Sequence, residues 1–159
     1  MKKVLPYLIF GLIATAFLYW KYRVAPSIDH QDIQVLIDGK PTSLNSQIQE
    51  GALINYYASW CGDCLKEMDA LQQLHASGTI QVIGLTDDSP AKIEAIRKKF
   101  NLTFPCYQIP SELKDQGINV LPTTYIINAD GETTKSFIGA QDWNSEEFMN
   151  NYPTWLSLQ

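Results

Sequence analysis

The stretch ALINYYASWCGDCLKEMDAL, residues 52–71, limits the folds open to this chain more than any other. A continuous apolar and aromatic run, ALINYYA at 52–58, follows Gly51 and leads directly into two cysteines separated by two residues. A short run of that kind, bounded by a turn residue, suits a buried strand. Beyond it a helix is expected from Cys61 or Gly62 to about Ala76, because Leu65, Met68, Leu71 and His75 recur at helical spacing and Gly78 then stops it. A buried strand feeding a helix is the building unit of a sheet covered by helices. The cysteine pair sits at the joint of that unit.

The rest of the chain repeats the alternation. DIQVLIDGKPTSL reads as two short strands about a turn at Asp38-Gly39, and TIQVIGL (79–85) as a further strand. SPAKIEAIRKKF predicts a helix with Ser89 as its cap, Pro90 in its first turn and Arg97, Lys98 and Lys99 at the negative end of its dipole. TFPCYQI is a short strand, and SELKDQG one or two helical turns ending at Gly117. TTYIIN and ETTKSFIG flank the turn NADG as a hairpin. NSEEFMNNY opens a last helix capped by Ser145, which Pro153 is expected to kink or end. The order is a strand pair followed by β-α-β-α-β-α-β-β-α. That order predicts an α/β fold with a mixed central sheet flanked by helices. A chain of 159 residues, 45% of them hydrophobic, is one domain long and buries a core without help from disulfides.

Residues 1–23 form a separate object. MKK precedes VLPYLIFGLIATAFLYW, residues 4–20, which carries no charge, and KYR follows. Seventeen such residues make a helix of ~26 Å, within the range of membrane-spanning helices. Tyr19, Trp20 and Tyr22 suit the interface, with Lys3 and Lys21 snorkelling outward. The rival reading is a cleaved signal peptide, for which ATA at 14–16 has the right form. Cleavage there leaves FLYW as a new apolar terminus, so an uncleaved N-terminal anchor is the expectation. The absence of a cysteine nearby excludes lipoprotein attachment. Residues 24–32 read as a linker and 33–159 as the globular domain, exported to the periplasm or outside the cell. Four of the twelve Lys and Arg lie in residues 1–23, leaving eight against 17 acids, a formal −9. No basic stripe remains to replace the counterions on a nucleic-acid backbone.

Three uses of the cysteine pair compete. As a permanent staple it closes too small a loop to remove much unfolded-state entropy. As a metal clip it lacks further ligands, since only Cys106, His30 and His75 remain and none stands at ligand spacing, so no metal and no cofactor is expected. As a redox centre it has a mechanism. Cys61 at a helix N-terminus is stabilised as the thiolate by unpaired N–H groups and the dipole. Cys64, about one turn further in, is placed to attack a mixed disulfide on Cys61.

WCGDC, with VLPTTYII some 60 residues later, resembles the thioredoxin superfamily over residues 33 to about 150. The anchor, the leading strand pair IQVLIDGKPTSL, the WCxxCxxE pattern (Trp60, Cys61, Cys64, Glu67) and LPTTYIINADG are similar to the membrane-anchored bacterial thiol-disulfide oxidoreductases of the TlpA/ResA/CcmG-like group. The resemblance implies a thioredoxin fold carrying an N-terminal strand-pair extension behind one transmembrane helix. It implies that Cys61 attacks, Cys64 resolves and Trp60 flanks the site. It further implies a cis peptide bond before Pro122 that sets the Leu121 backbone beside the thiols for an extended substrate. Glu67 matches an acid that the ResA-like group uses near its thiols, against the plainer reading of a solvated helix glutamate. Asn55 stands where thioredoxins proper carry a buried Asp, and Asn occurs there in the ResA-like group. Asp63, where CGPC has Pro, adds a negative charge that opposes thiolate formation at Cys61 and suggests a more reducing couple.

The expected activity is reduction or exchange of disulfides in exported proteins at a bacterial inner membrane. A membrane electron donor of DsbD or CcdA type is the implied partner, and apocytochrome c a possible substrate. A thiol oxidase or isomerase, and a non-catalytic metallochaperone, stay open as alternatives. A peroxidase of peroxiredoxin type is disfavoured for want of a threonine-cysteine peroxidatic motif. Cys106 reads as a buried strand cysteine, His75 as packed behind its helix, and His30 as a linker residue. Tyr56, Tyr57 and Phe104 read as core.

Overall fold

The structure, a computed structural model, describes residues 5–23 and 25–157. Its strands are β1 (Gln34–Ile37), β2 (Lys40–Ser43), β3 (Ala52–Tyr56), β4 (Gln81–Thr86), β5 (Cys106–Gln108), β6 (Thr123–Ile127) and β7 (Thr133–Ile138). Its helices are α1 (Leu5–Arg23), α2 (Gly62–Ala76), α3 (Pro90–Lys99) and α4 (Glu146–Ser157). The seven strands form one sheet in the order β2-β1-β5-β4-β3-β6-β7. The β3-β4 and β4-β5 pairs are parallel, and β3-β6, β6-β7, β1-β2 and β1-β5 are antiparallel. The expected element order holds throughout.

β3 lies inside the sheet, and all five of its residues are buried. Strand side chains alternate between faces. Leu53 joins Cys64, Met68, Leu71, Phe104 and Trp143 in the core under α2 and α4. Ala52, Ile54 and Tyr56 join Val35, Ile83, Leu85 and Tyr125 in the core of the opposite face. Asn55 is the polar member of β3, 1% exposed, and points to the α2 side. Gly84 lets two layers approach: a Cβ there would stand 2.9 Å from the Tyr57 ring and 3.3 Å from Cys106 Sγ.

The turns follow their residues. Asp38 and Gly39 both take positive φ, 51° and 74°, closing the β1-β2 hairpin as the Asp-Gly pair requires. Asn128 Oδ1 accepts from the N–H groups of Asp130 and Glu132, holding the β6-β7 turn. The SELKDQG turns form a 3-10 segment at Leu113–Gln116 that ends on left-handed Gly117. Ser89 occupies the cap position of α3 without a side-chain capping bond, whereas Ser145 Oγ accepts from Phe148 N at the start of α4.

Three expectations are revised. Pro153 does not end the last helix, since α4 runs through it to Ser157. Proline removes the donor to the carbonyl four residues back. That carbonyl belongs to Met149, a residue 39% exposed, while Trp155 and Leu156 pack on the core and hold the last turn. The segment expected as linker packs on the domain over its described residues: Tyr125 Oη donates to Pro26 O, and Gln31 Nε2 to Asp130 O. His30 within it is 1% exposed, edge-on to Tyr125, with Nδ1 3.1 Å from Thr133 Oγ1. Burial lowers its pKa from 6.5 to about 4, against the Ile28 backbone bond and the field of Asp29.

Among the described residues no helix is long and apolar enough to cross a membrane. The expected anchor, residues 1–23, begins outside the described residues. Within α1, Phe10, Leu12, Ile13 and Phe17 are exposed.

Candidate active site

Cys61 occupies the N-cap position of α2, with extended backbone (φ −84°, ψ 103°), and its Sγ accepts from Cys64 N at 3.2 Å. The two sulfurs are joined in a disulfide, with Cα atoms 5.3 Å apart. Cys61 is 7% exposed and Cys64 fully buried. The outer sulfur therefore borders solvent and already receives a helix N–H. In the dithiol form the same N–H and the dipole favour its thiolate.

The strand-to-helix connection, residues 57–61, is held on several sides. Tyr57 N donates to Leu85 O, and Cys61 N to Ala58 O. Asp88, at the end of β4, accepts from both the N–H and the hydroxyl of Ser59 and from Lys92 Nζ at 3.1 Å. Burial opposes the Asp88 charge, but the Ser59 and Lys92 donors outweigh it and hold the carboxyl below its usual range. Asp88 was not among the residues singled out from sequence. Its signal was weak, one acid of an Asp-Asp pair after a strand.

Glu67 lies one turn beyond Cys64 and is 3% exposed, which excludes the solvated reading. Its Oε1 accepts from Asn55 Nδ2 at 2.8 Å, and its Oε2 from Trp143 Nε1 at 3.1 Å and Gln141 N at 3.2 Å. Asn55 Nδ2 also reaches Thr124 Oγ1 at 2.9 Å. Burial raises the Glu67 pKa from 4.5 to about 7, with the Gln141, Asn55 and Trp143 donors pulling it back and Asp63 adding to the rise. A carboxyl that titrates near neutrality beside a thiol pair can hold and release a proton at working pH. Asn55 is suited to this place, because it donates to the carboxylate without adding a second negative charge.

Trp60 is 74% exposed on the rim. Trp60, Cys61, Asp87, Leu113, Ile118 and Leu121 border one open groove of about 540 Å³. The Leu121–Pro122 bond is cis, as the resemblance implied, and Leu121 and Cys61 both line this groove. Asp63 is exposed and bonded to Lys66 at 2.7 Å, which reduces the field it exerts on Cys61. Cys106 lies on β5, half-buried rather than fully buried, and burial pushes its thiol up to about 11. His75 packs behind α2 as expected, with Nδ1 accepting from Val82 N and its ring edge on Phe104.

Residues 23–136 match the AhpC/TSA family. The chain is 29% identical over 128 residues to thiol-disulfide oxidoreductase ResA of Oceanobacillus iheyensis, covering 75% of this chain and 67% of that protein. It spans about two thirds of the length of the curated ResA relatives it matches. Among solved structures it is similar to a Chlorobium tepidum protein assigned as thiol:disulfide interchange protein DsbE (TM-score 0.69, 16% identity, 84% of this chain and 100% of that one). StoA of Bacillus subtilis also superposes, with TM-score 0.58 and 21% identity over 80% of this chain and 99% of StoA. These likenesses establish the thioredoxin fold, and the sequence relatives carry the activity. The chain belongs to the AhpC/TSA family, and its relatives within it are thiol-disulfide oxidoreductases of the ResA kind.

Proposed function

We propose that this thiol-disulfide oxidoreductase reduces or exchanges disulfides in exported proteins, with Cys61 as nucleophile and Cys64 as resolving thiol. The observation that carries the reading is a bonded cysteine pair whose outer sulfur caps α2 and opens on the Trp60-Leu121 groove. In the forward direction the Cys61 thiolate attacks a substrate disulfide. The substrate S–S bond breaks, a Cys61–substrate disulfide forms and one substrate sulfur leaves as thiolate. Cys64 loses its proton and attacks Cys61 Sγ, the mixed disulfide breaks, and the second substrate sulfur leaves. Two electrons pass from the pair to the substrate, and the Cys61–Cys64 disulfide results. Glu67 takes the Cys64 proton, since it lies on the same helix face and titrates near 7. Trp60 and the Leu121 backbone hold the extended substrate, with Pro122 setting the Leu121 backbone.

The oxidised pair then needs a dithiol donor, for which a membrane protein of DsbD or CcdA type is the class the resemblance implies. Residues 1–23 serve as the anchor that keeps the domain near such a donor at high effective concentration. This places the domain in the periplasm or an equivalent extracytoplasmic space, where apocytochrome c is one candidate substrate. Running the same exchange as an oxidase or isomerase requires only a partner of different potential. A metallochaperone would have two sulfurs and no third ligand, since among the described residues no group of three His, Cys, Asp or Glu gathers.

The test is the Cys64→Ala variant expressed in cells. It should accumulate covalent adducts on Cys61 that dithiol reagents release, and Cys61→Ala should accumulate none. Equal trapping by both variants would refute the assignment of the nucleophile.

A further inference from the structure

Trp143 takes no part in the reading above, yet it touches the group that moves the proton. It is fully buried, 76 positions along the chain from Glu67, and its one polar atom is spent on the Glu67 carboxylate. The indole is locked from two sides. Phe137 of β7 meets it edge-on at 5.4 Å and Phe148 of α4 at 5.1 Å. Trp155, in the last turn of α4, closes on Phe137 at 5.6 Å. Gln141 N donates to the same Glu67 oxygen, so the β7-α4 connection presents two N–H groups to Oε2. Donors that favour a carboxylate oppose the burial that favours the acid.

We propose that Trp143 is a positioning residue, which through its indole N–H fixes the Glu67 carboxylate and sets the pH at which that group takes a proton. The inference deepens the reading of Glu67 as proton carrier and rests on it for its role in exchange, though not for its test. Among the described residues the groups bonded to Glu67 or acting on its charge are these. Asn55 of β3 donates to Oε1, Thr124 of β6 acts through Asn55, and Asp63 and Cys64 share its helix. Gln141 and Trp143 complete the shell from the far side. All three donors are neutral, and Trp143 is the side-chain donor to Oε2, whose N–H can be removed while a ring is kept in its place.

The experiment follows the Glu67 carboxyl carbon by NMR in the oxidised full chain labelled at glutamate, with Glu67→Gln identifying the signal. Trp143→Phe keeps a packed ring and removes the donor. It should raise the Glu67 midpoint by about one pH unit, a tenfold gain in proton affinity, the size of one charged hydrogen bond. Phe148→Leu loosens the same cluster without touching Glu67, and should lower the melting temperature while leaving the midpoint in place. If Trp143→Phe fails to fold, 3-benzothienylalanine at 143, with sulfur for N–H at nearly the same volume, gives the same readout. An unmoved midpoint, or an equal rise in Phe148→Leu, overturns the inference. A raised midpoint in a protein whose Cys64→Ala form traps nothing would sink the exchange reading and leave this one standing. An unmoved midpoint in a protein that does trap substrate would do the reverse.

Discussion

Two buried groups on opposite faces of the sheet titrate in opposite senses, and their balance makes an unusual stability profile. Glu67 keeps its proton up to about 7 in the folded chain against an ordinary 4.5. Between those values the folded state binds more protons than the unfolded state, so stability falls as pH rises. His30 stays neutral down to about 4 against an ordinary 6.5. Between those values the unfolded state binds more protons, so stability rises with pH. Each gap is about 2.5 pH units, worth about 3 kcal/mol at 1.36 kcal/mol per unit. The windows overlap from 4.5 to 6.5, where the two slopes cancel. The Asp88 contribution falls below 3.8, outside that overlap, and partly exposed His75 adds a smaller slope in the His30 sense.

The perturbation is Glu67→Gln, which keeps the shape and removes the titration. Denaturant unfolding of the oxidised protein, repeated from pH 4.5 to 7.5 at fixed ionic strength, is the assay. The parent should be nearly flat across the overlap. Glu67→Gln should lose about 2–3 kcal/mol between pH 6.5 and 4.5, the bare His30 slope. His30→Phe, which keeps the edge contact with Tyr125, should instead lose stability toward pH 7, and the double variant should be flat again. A Glu67→Gln profile parallel to the parent's would refute the claim that Glu67 is protonated in the folded chain below neutrality.

Other outcomes follow from single contacts. Gly84→Ala puts a methyl 2.9 Å from the Tyr57 ring, and should cost about 1–3 kcal/mol in thermal or denaturant unfolding. Asp88→Asn removes the charge that clamps Ser59, and should cost about 1–3 kcal/mol while slowing alkylation of reduced Cys61, whose thiolate depends on the held connection. Asn55→Asp sets a second carboxyl against Glu67 at 2.8 Å, so the pair should titrate as one unit with its upper step above 7, read by carboxyl NMR.

The fold was legible because its signals are local. The Asp38-Gly39 turn, the Gly117 stop and the NADG hairpin each act within a few residues of themselves, so reading the chain in order recovered them. Of the two outcomes expected at Pro153, a kink or an end, the end does not occur, for the converse reason. A helix continues through an internal proline when the turns beyond it are packed, and that condition belongs to the tertiary structure. His30 was misjudged likewise, since a polar stretch after an apolar segment reads as linker until Tyr125 and Thr133, about a hundred residues away, are folded onto it.

The site divides along the same line. The cysteine pair and the Leu121–Pro122 bond are written in contiguous motifs, whereas the groups that tune them are not. Asp88 reaches back 29 positions to Ser59, and Trp143 reaches 76 to Glu67. The division has a physical basis. Sulfur exchange needs two thiols one helical turn apart, a spacing the backbone alone provides. Holding a proton near neutrality needs a carboxyl withdrawn from water yet supplied with donors, and no single helix can do both, because its own N–H groups are already bonded within it. The donors must come from elsewhere: one from β3 and two from the β7-α4 connection. The elements added after the redox motif therefore do more than cover the sheet. They set the acidity of the group beside the inner sulfur, and a chain keeping CGDC and Glu67 but losing the Trp143 segment would hold its proton over a different range of pH.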